Sequence, residues 1–103
     1  MALAMHTIIC ILQPVIFTWH EAKRAANLRK HGFDFADAAK VFDGPTITAE
    51  DPRDYGGEQR FNTTGMLGAN FVTICHTESE TTIRIISMRK AEPHEIDEFA
   101  RYT

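Results

Sequence analysis

Apolar and polar positions along the chain change period several times, and each change marks an element. Val15–Trp19 is a short apolar run of β-branched and aromatic residues and predicts a strand. From His20 to Lys30 strong helix formers take over, namely Glu21, Ala22, Lys23, Ala25, Ala26 and Leu28, and Gly32 supplies the stop. Ala22, Ala25, Ala26 and Arg29 stack on one side, which reads as the core side; Lys23, Asn27, Lys30 and His31 form a polar stripe. A second helix is expected from Asp34, a good N-cap, with Phe33 before it as a staple and Ala38, Val41 and Phe42 as its buried side. Asp43-Gly44-Pro45 ends it.

The second half reads as β structure. Thr46–Ala49 is a short strand candidate, and Asp51 to Glu58, with Pro52, Gly56 and Gly57, is a loop. Glu58–Leu67 alternates, with Phe61 on one face and Glu58, Arg60, Asn62 and Thr64 on the other. Gly68-Ala69-Asn70 makes a tight turn into Phe71–Thr77, and a polar Glu78–Glu80 turn leads to Thr81–Arg89. Turns this short require antiparallel hairpins. Pro93 sits where a helix tolerates proline, Glu92 and Glu95 complement its positive end, and Ile96, Phe99 and Ala100 dock it. The order β-α-α-β-β-β-β-α predicts an α+β domain: an antiparallel sheet of about four strands, with two N-terminal helices and one C-terminal helix packed on it.

The chain has 103 residues, enough for one domain, expected over residues 14–103 behind an apolar extension at 1–13. That extension lacks a basic leader region, and its apolar run Ile8–Leu12 is far too short to span a bilayer, so no membrane association or export is expected and the protein is placed in the cytoplasm. At 44% hydrophobic and 24% charged residues the composition is that of a globular protein. The net charge of -3 argues against strong non-specific binding to nucleic acid, but the charge is unevenly spread. Lys23, Arg24, Arg29 and Lys30 face only Glu21 in the first helix, whereas acids gather at Glu50, Asp51 and Asp54 and again at Glu92, Glu95, Asp97 and Glu98. A local basic surface still attracts phosphate, because screening limits each charge to about 8–10 Å. Cys10 and Cys75 have no metal-ligand spacing and read as two reduced thiols, so no metal or cofactor is expected.

One ordered set of residues goes further. Phe17-Thr18-Trp19, Lys23 with Asn27, Lys30-His31-Gly32, Phe35, Val41-Phe42, Gly57-Glu58 with Arg60, Gly65, His76-Thr77 and Arg84-Ile85-Ile86-Ser87 with Arg89 and Ala91 run in sequence from Phe17 onward. In this set the chain resembles the BrnT family. The resemblance implies a RelE-like toxin fold, endoribonuclease activity that blocks translation and growth, and neutralisation by a BrnA-type antitoxin. That antitoxin covers the toxin in a heterotetramer or larger complex and alone contacts operator DNA. The alternative is a non-catalytic or degenerate homologue serving as an antitoxin-binding subunit of a DNA-autoregulatory complex. The sequence departs from the family pattern at His20, where Asp is the usual helix cap, at Met88, and at Phe99, where many relatives carry Tyr.

RNA cleavage without a metal uses the ribose 2′-OH as nucleophile and needs a charge-stabilising group at the phosphate. Guanidiniums suit that task, since they stay charged and match phosphate geometry bidentately. Arg60, Arg84 and Arg89 are the candidates, with Glu58 as base or as the ion-pair partner of Arg60. Strict alternation separates Arg84 from Arg89 onto opposite faces unless the strand twists, bulges or ends first. Lys23, Asn27, Lys30 and His31 are expected to bind RNA, with bracing of nearby loops as the alternative for Asn27 and helix capping for His31. His76 is expected at a strand end, supporting a turn.

Overall fold

A computed structural model describes residues 15–103, and the expectations for residues 1–13 and for Cys10 lie outside them. The elements are β1 (Ile16–Thr18), α1 (Glu21–His31), a single 3₁₀ turn (Phe35–Asp37) running into α2 (Ala38–Asp43), β2 (Ile47–Asp51), β3 (Arg60–Leu67), β4 (Asn70–Glu78), β5 (Thr82–Lys90) and α3 (Pro93–Tyr102). The sheet has five strands in the order β1-β5-β4-β3-β2, rather than about four. It is not wholly antiparallel either. β1 pairs parallel to β5, Phe17 opposite Ile83; α1 and α2 first carry the chain to β2 at the opposite edge, and β5 comes back beside β1 only after β3 and β4. The remaining pairs are antiparallel, as the short turns require. No helix among the described residues is long and apolar enough to cross a membrane.

The two faces of the sheet are covered differently. On one, Phe35, Ala38 and Val41 pack against Val72, Ile74, Ile85 and Met88, all essentially buried, with Phe17, Trp19 and Phe42 around them. α2 lies so close here that a Cβ on Gly65 would come within 2.8 Å of Val41 Cγ1, which explains a glycine in mid-strand. On the other face α3 docks through Phe99, which meets Phe71 edge-on with ring centroids 5.7 Å apart. Ile96 is half-buried beside it, while Ala100, expected to dock, is exposed.

α1 ends at Gly32 in the left-handed conformation (φ 78°), its N–H reaching Leu28 O, as expected of a glycine cap. The helix is turned the other way from its sequence reading. Ala22, Ala26 and Arg29 are exposed, and the one buried residue is Asn27, from the polar stripe. The cause is the edge of β5. β1 accompanies β5 only over Thr82–Arg84, so Met88 lies beyond the end of β1, with no strand on that side among the described residues. The Asn27 carboxamide takes the place of a strand. Its Nδ2 donates to Met88 O (2.9 Å) and to Phe33 O (3.1 Å), and its Oδ1 accepts from Met88 N–H (3.1 Å). These bonds engage both Nδ2 protons and brace the segment at Phe33 against β5. A second link joins α1 to the turn before α2: Arg24 donates bidentately to Asp34 (2.7 and 2.8 Å), and Asp34 also caps the 3₁₀ turn through Ala36 N–H.

Asn27→Ala is expected to destabilise the protein by about 2–3 kcal/mol in urea unfolding, because Met88 N–H and C=O are then buried without partners. Lys23→Ala, on the exposed side of the same helix, is expected to change stability by less than about 0.5 kcal/mol. Equal effects of the two substitutions would contradict the edge-capping role.

Candidate active face

The face that carries α3 also holds the arginines. β4 and β5 keep register from Val72 opposite Lys90 to Cys75 opposite Ser87; then His76 faces Ile85 and Ile86 is left without a partner. This bulge shifts the phase of β5 by one residue. Arg89 then shares a face with Thr73 and Arg84 with Thr77, and both belong to the face opposite the core. The condition set by strict alternation is thus met by a bulge in the middle of the strand. Arg60 precedes Phe61, which pairs with His76, so Arg60 and Arg84 flank Thr77 from the two neighbouring strands.

The loop after β2 completes the group. Asp51 is buried, and its carboxylate receives Arg53 Nε (3.0 Å), Arg53 Nη2 (2.7 Å), the Tyr55 hydroxyl (2.8 Å) and Arg53 N–H (3.1 Å). Burial alone would raise its pKa, but the Arg53 hydrogen bonds win and hold it well below the usual carboxylate range. With Tyr55 so anchored, the Arg60 guanidinium lies over its ring, 4.0 Å from the centroid. Asp54 Oδ1 then accepts from the N–H groups of Gly56 and Gly57, and the resulting turn delivers Glu58. Glu58 joins both arginines: Oε1 accepts from Arg60 Nε at 2.9 Å and Oε2 from Arg84 Nη2 at 2.5 Å. The hydrogen bond from Arg60, helped by the charge of Arg84, lowers the Glu58 pKa, so the carboxylate is ionised and weakly basic. Glu58 itself precedes β3 instead of belonging to it.

Arg89 lies on the same face but is differently engaged. It donates to both oxygens of Glu95 (2.8 and 3.0 Å), while Thr73 Oγ1 and Glu92 N–H also donate to Glu95. Arg89 therefore clasps the first turn of α3 to the sheet, and the bond to Glu95 raises its pKa further. Lys23 and Lys30 are exposed and His31 is half-buried on α1, beyond the β5 edge. Among the described residues no hydrogen bond or ion pair connects these three to the Glu58 group, so the expected RNA-binding and catalytic residues form separate sets. Glu92, His94 and Glu95 bring ligand-type atoms within 4.8 Å of one another, but Glu92 and Glu95 form the capping box of α3 and Glu95 is already bonded to Arg89.

Sequence reasoning missed Asp51, Arg53 and Tyr55, for which the signal was an acid at the head of a turn-rich loop. It also misplaced His76. This residue lies within β4, fully buried against Phe42 and Phe61, with Nε2 hydrogen-bonded to Thr63 Oγ1 (2.7 Å); among the described residues Nδ1 makes no hydrogen bond, the Glu78 carboxylate lying 3.8 Å away.

A family model described as "Ribonuclease toxin, BrnT, of type II toxin-antitoxin system" matches residues 19–95. Among solved structures, the crystal structure of the Brucella abortus ribonuclease toxin BrnT is similar at 27% identity and a TM-score of 0.58, covering 76% of this chain and 97% of that one. No curated protein matches the chain.

Burial lowers the His76 pKa to about 4. An unfolded histidine titrates near 6.5, so the unfolded chain binds the extra proton first, and stability is lost as pH falls from about 6.5 to about 4. The loss from this residue approaches 3 kcal/mol, at about 1.4 kcal/mol per pH unit. Unfolding of wild type and His76→Gln across that range should show the slope in the first and its flattening in the second. Parallel curves would contradict the assignment.

Proposed function

The chain belongs to the BrnT family of ribonuclease toxins of type II toxin–antitoxin systems, and we propose that it cleaves RNA at the sheet face bearing Arg60 and Arg84. The observation that supports this reading is the pairing of two guanidiniums by one carboxylate, with Arg60 Nη1 and Nη2 and Arg84 Nε and Nη1 making no hydrogen bond among the described residues. A phosphodiester that meets these N–H groups gains two cationic partners oriented before it arrives. In this reading the 2′-oxygen forms a bond to phosphorus as its proton passes to Glu58, and the bond to the 5′-oxygen breaks as that oxygen takes a proton from water. The resulting hydroxide recovers the proton from Glu58, and the products end in a 2′,3′-cyclic phosphate and a 5′-hydroxyl. Arg60 and Arg84 hold the non-bridging oxygens as negative charge builds. Glu58 keeps the two arginines oriented through Arg60 Nε and Arg84 Nη2 while phosphate takes their remaining N–H groups, and a free lone pair of its carboxylate accepts the 2′-OH proton. Arg89 contributes by fixing α3, and Lys23, Lys30 and His31 extend a basic surface along α1 for the RNA strand.

A type II toxin has an antitoxin partner. We take it to be a BrnA-type protein that covers the toxin in a heterotetramer or larger complex and carries the operator contacts. The fold is read as RelE-like, and the site of action as cytoplasmic RNA. One observation favours the non-catalytic alternative. Phe99 is packed into the interface with Phe71 and brings no hydroxyl to α3, where only Tyr102 has one, exposed at the end of the helix.

Purified wild-type protein should cleave RNA, and Arg60→Ala and Arg84→Ala should each slow cleavage by about 10²–10³-fold, the loss of one preorganised contact of about 3–4 kcal/mol. Both side chains are about a quarter to a third exposed, so thermal unfolding should change little. RNA left intact by wild type would favour the non-catalytic reading. Undiminished cleavage by both variants would move the site elsewhere.

A further inference from the structure

The outer edge of the sheet at β2 differs from the edge at β5. β2 pairs with β3 along its whole length, Ile47 opposite Thr64 to Asp51 opposite Arg60, and among the described residues no backbone bond is made on its other side. Natural edge strands are usually blocked by lysine, proline, a bulge or a covering element. Among the described residues β2 has no lysine, proline, bulge or covering strand, and its only protection is its short length and the acids Glu50 and Asp51, whereas the β5 edge is occupied by β1 and Asn27. Beside β2, facing α3, runs a cleft of about 360 Å³. Its floor spans β2 and β3, with the small apolar Ile47 and Ala49 on the β2 side and Asn62 and Thr64 on the β3 side, and its far wall carries His94, Glu95 and Glu98. Glu95 is neutralised by Arg89, which leaves the Glu98 carboxylate facing the cleft. Glu50, exposed and on the opposite face of β2 from Ala49, brackets the edge from the other side.

We propose that this edge and cleft receive an extended, basic segment of the antitoxin, which adds to β2 as a sixth strand. Main-chain hydrogen bonds to β2 would supply the register, small apolar side chains would lie on Ile47 and Ala49, and Lys or Arg would meet Glu50 and Glu98. Charge supports a protein occupant over RNA here. Lys23, Arg29 and Lys30 are exposed on α1 by the β5 edge, whereas β2 and α3 expose Glu50, Asp97 and Glu98 against Arg101 alone, so this side favours a basic peptide over a nucleic acid. This inference rests on the reading of the chain as a toxin with a protein antitoxin, but not on the arginine site.

The test combines two measurements on the full-length toxin and the antitoxin encoded beside it. Backbone amides of residues 47–51 should exchange about tenfold or more slowly in the complex than in the free toxin. The double variant Glu50→Lys/Glu98→Lys should bind the antitoxin at least about tenfold more weakly, as attraction becomes repulsion, while RNA cleavage by the free toxin is unchanged. A complex that forms with unchanged exchange at 47–51, or with undiminished affinity for the variant, overturns the edge assignment and leaves the toxin reading intact. Failure of any complex to form removes the antitoxin reading and this inference together. Protection of 47–51 that grows with the concentration of toxin alone would assign the edge to a second copy of this chain and also overturn it.

Discussion

Ile85 and Met88 both reach the core, three residues apart on a strand whose period is two, and the chain resolves the conflict by leaving Ile86 without a partner. Burying two large side chains is worth several kcal/mol, more than the cost of one interrupted rung in the ladder. Everything on the far face follows from that exchange. Without the shift, one of Arg84 and Arg89 would point into the core among Val72 and Ile74, where a charge has no partner. With it, Arg84 stands beside Arg60, and Arg89 stands where Glu95 can hold α3 against the sheet.

Buried and part-buried polar side chains do the remaining organisation. Asn27 closes an open strand edge, Asp51 folds the loop that presents Tyr55 and Glu58, and Glu95 ties a helix to two strands through Arg89 and Thr73. Each is costly to bury alone and is kept because its hydrogen-bonding capacity is met. In a chain this short such hubs fix geometry that a small apolar core leaves loose. They also separate functions in space: the arginines sit on an open face, the basic helix at one sheet edge, and the acidic strand and helix at the other.

How much could be read from sequence varied with the range of the interactions involved. The β3–β4 and β4–β5 hairpins and the proline-started α3 were legible because short turns, alternation and capping residues are local signals. The parallel pairing of β1 was not, since it depends on where two helices return the chain. α1 was read inside out: alanines look like a core stripe, but helical periodicity cannot register that a strand edge needs an amide more than it needs methyl groups. The site was legible in its parts, as Glu58, Arg60 and Arg84 were singled out. Their meeting depends on a bulge that alternation could pose only as a condition. For Asn27 and Arg89 residue type alone suggests RNA binding and catalysis, whereas their hydrogen-bond partners, sixty-one residues away in sequence at Met88 and across a helix boundary at Glu95, are visible only in the fold.

Whether the bulge unites Arg60 and Arg84 into one phosphate-holding unit is measured by a double-mutant cycle on RNA cleavage. If the two guanidiniums act together, removing the second after the first costs little, and the Arg60→Ala/Arg84→Ala double variant cleaves within about tenfold of the slower single variant. Fully multiplicative losses, with the two effects independent of each other, would contradict it.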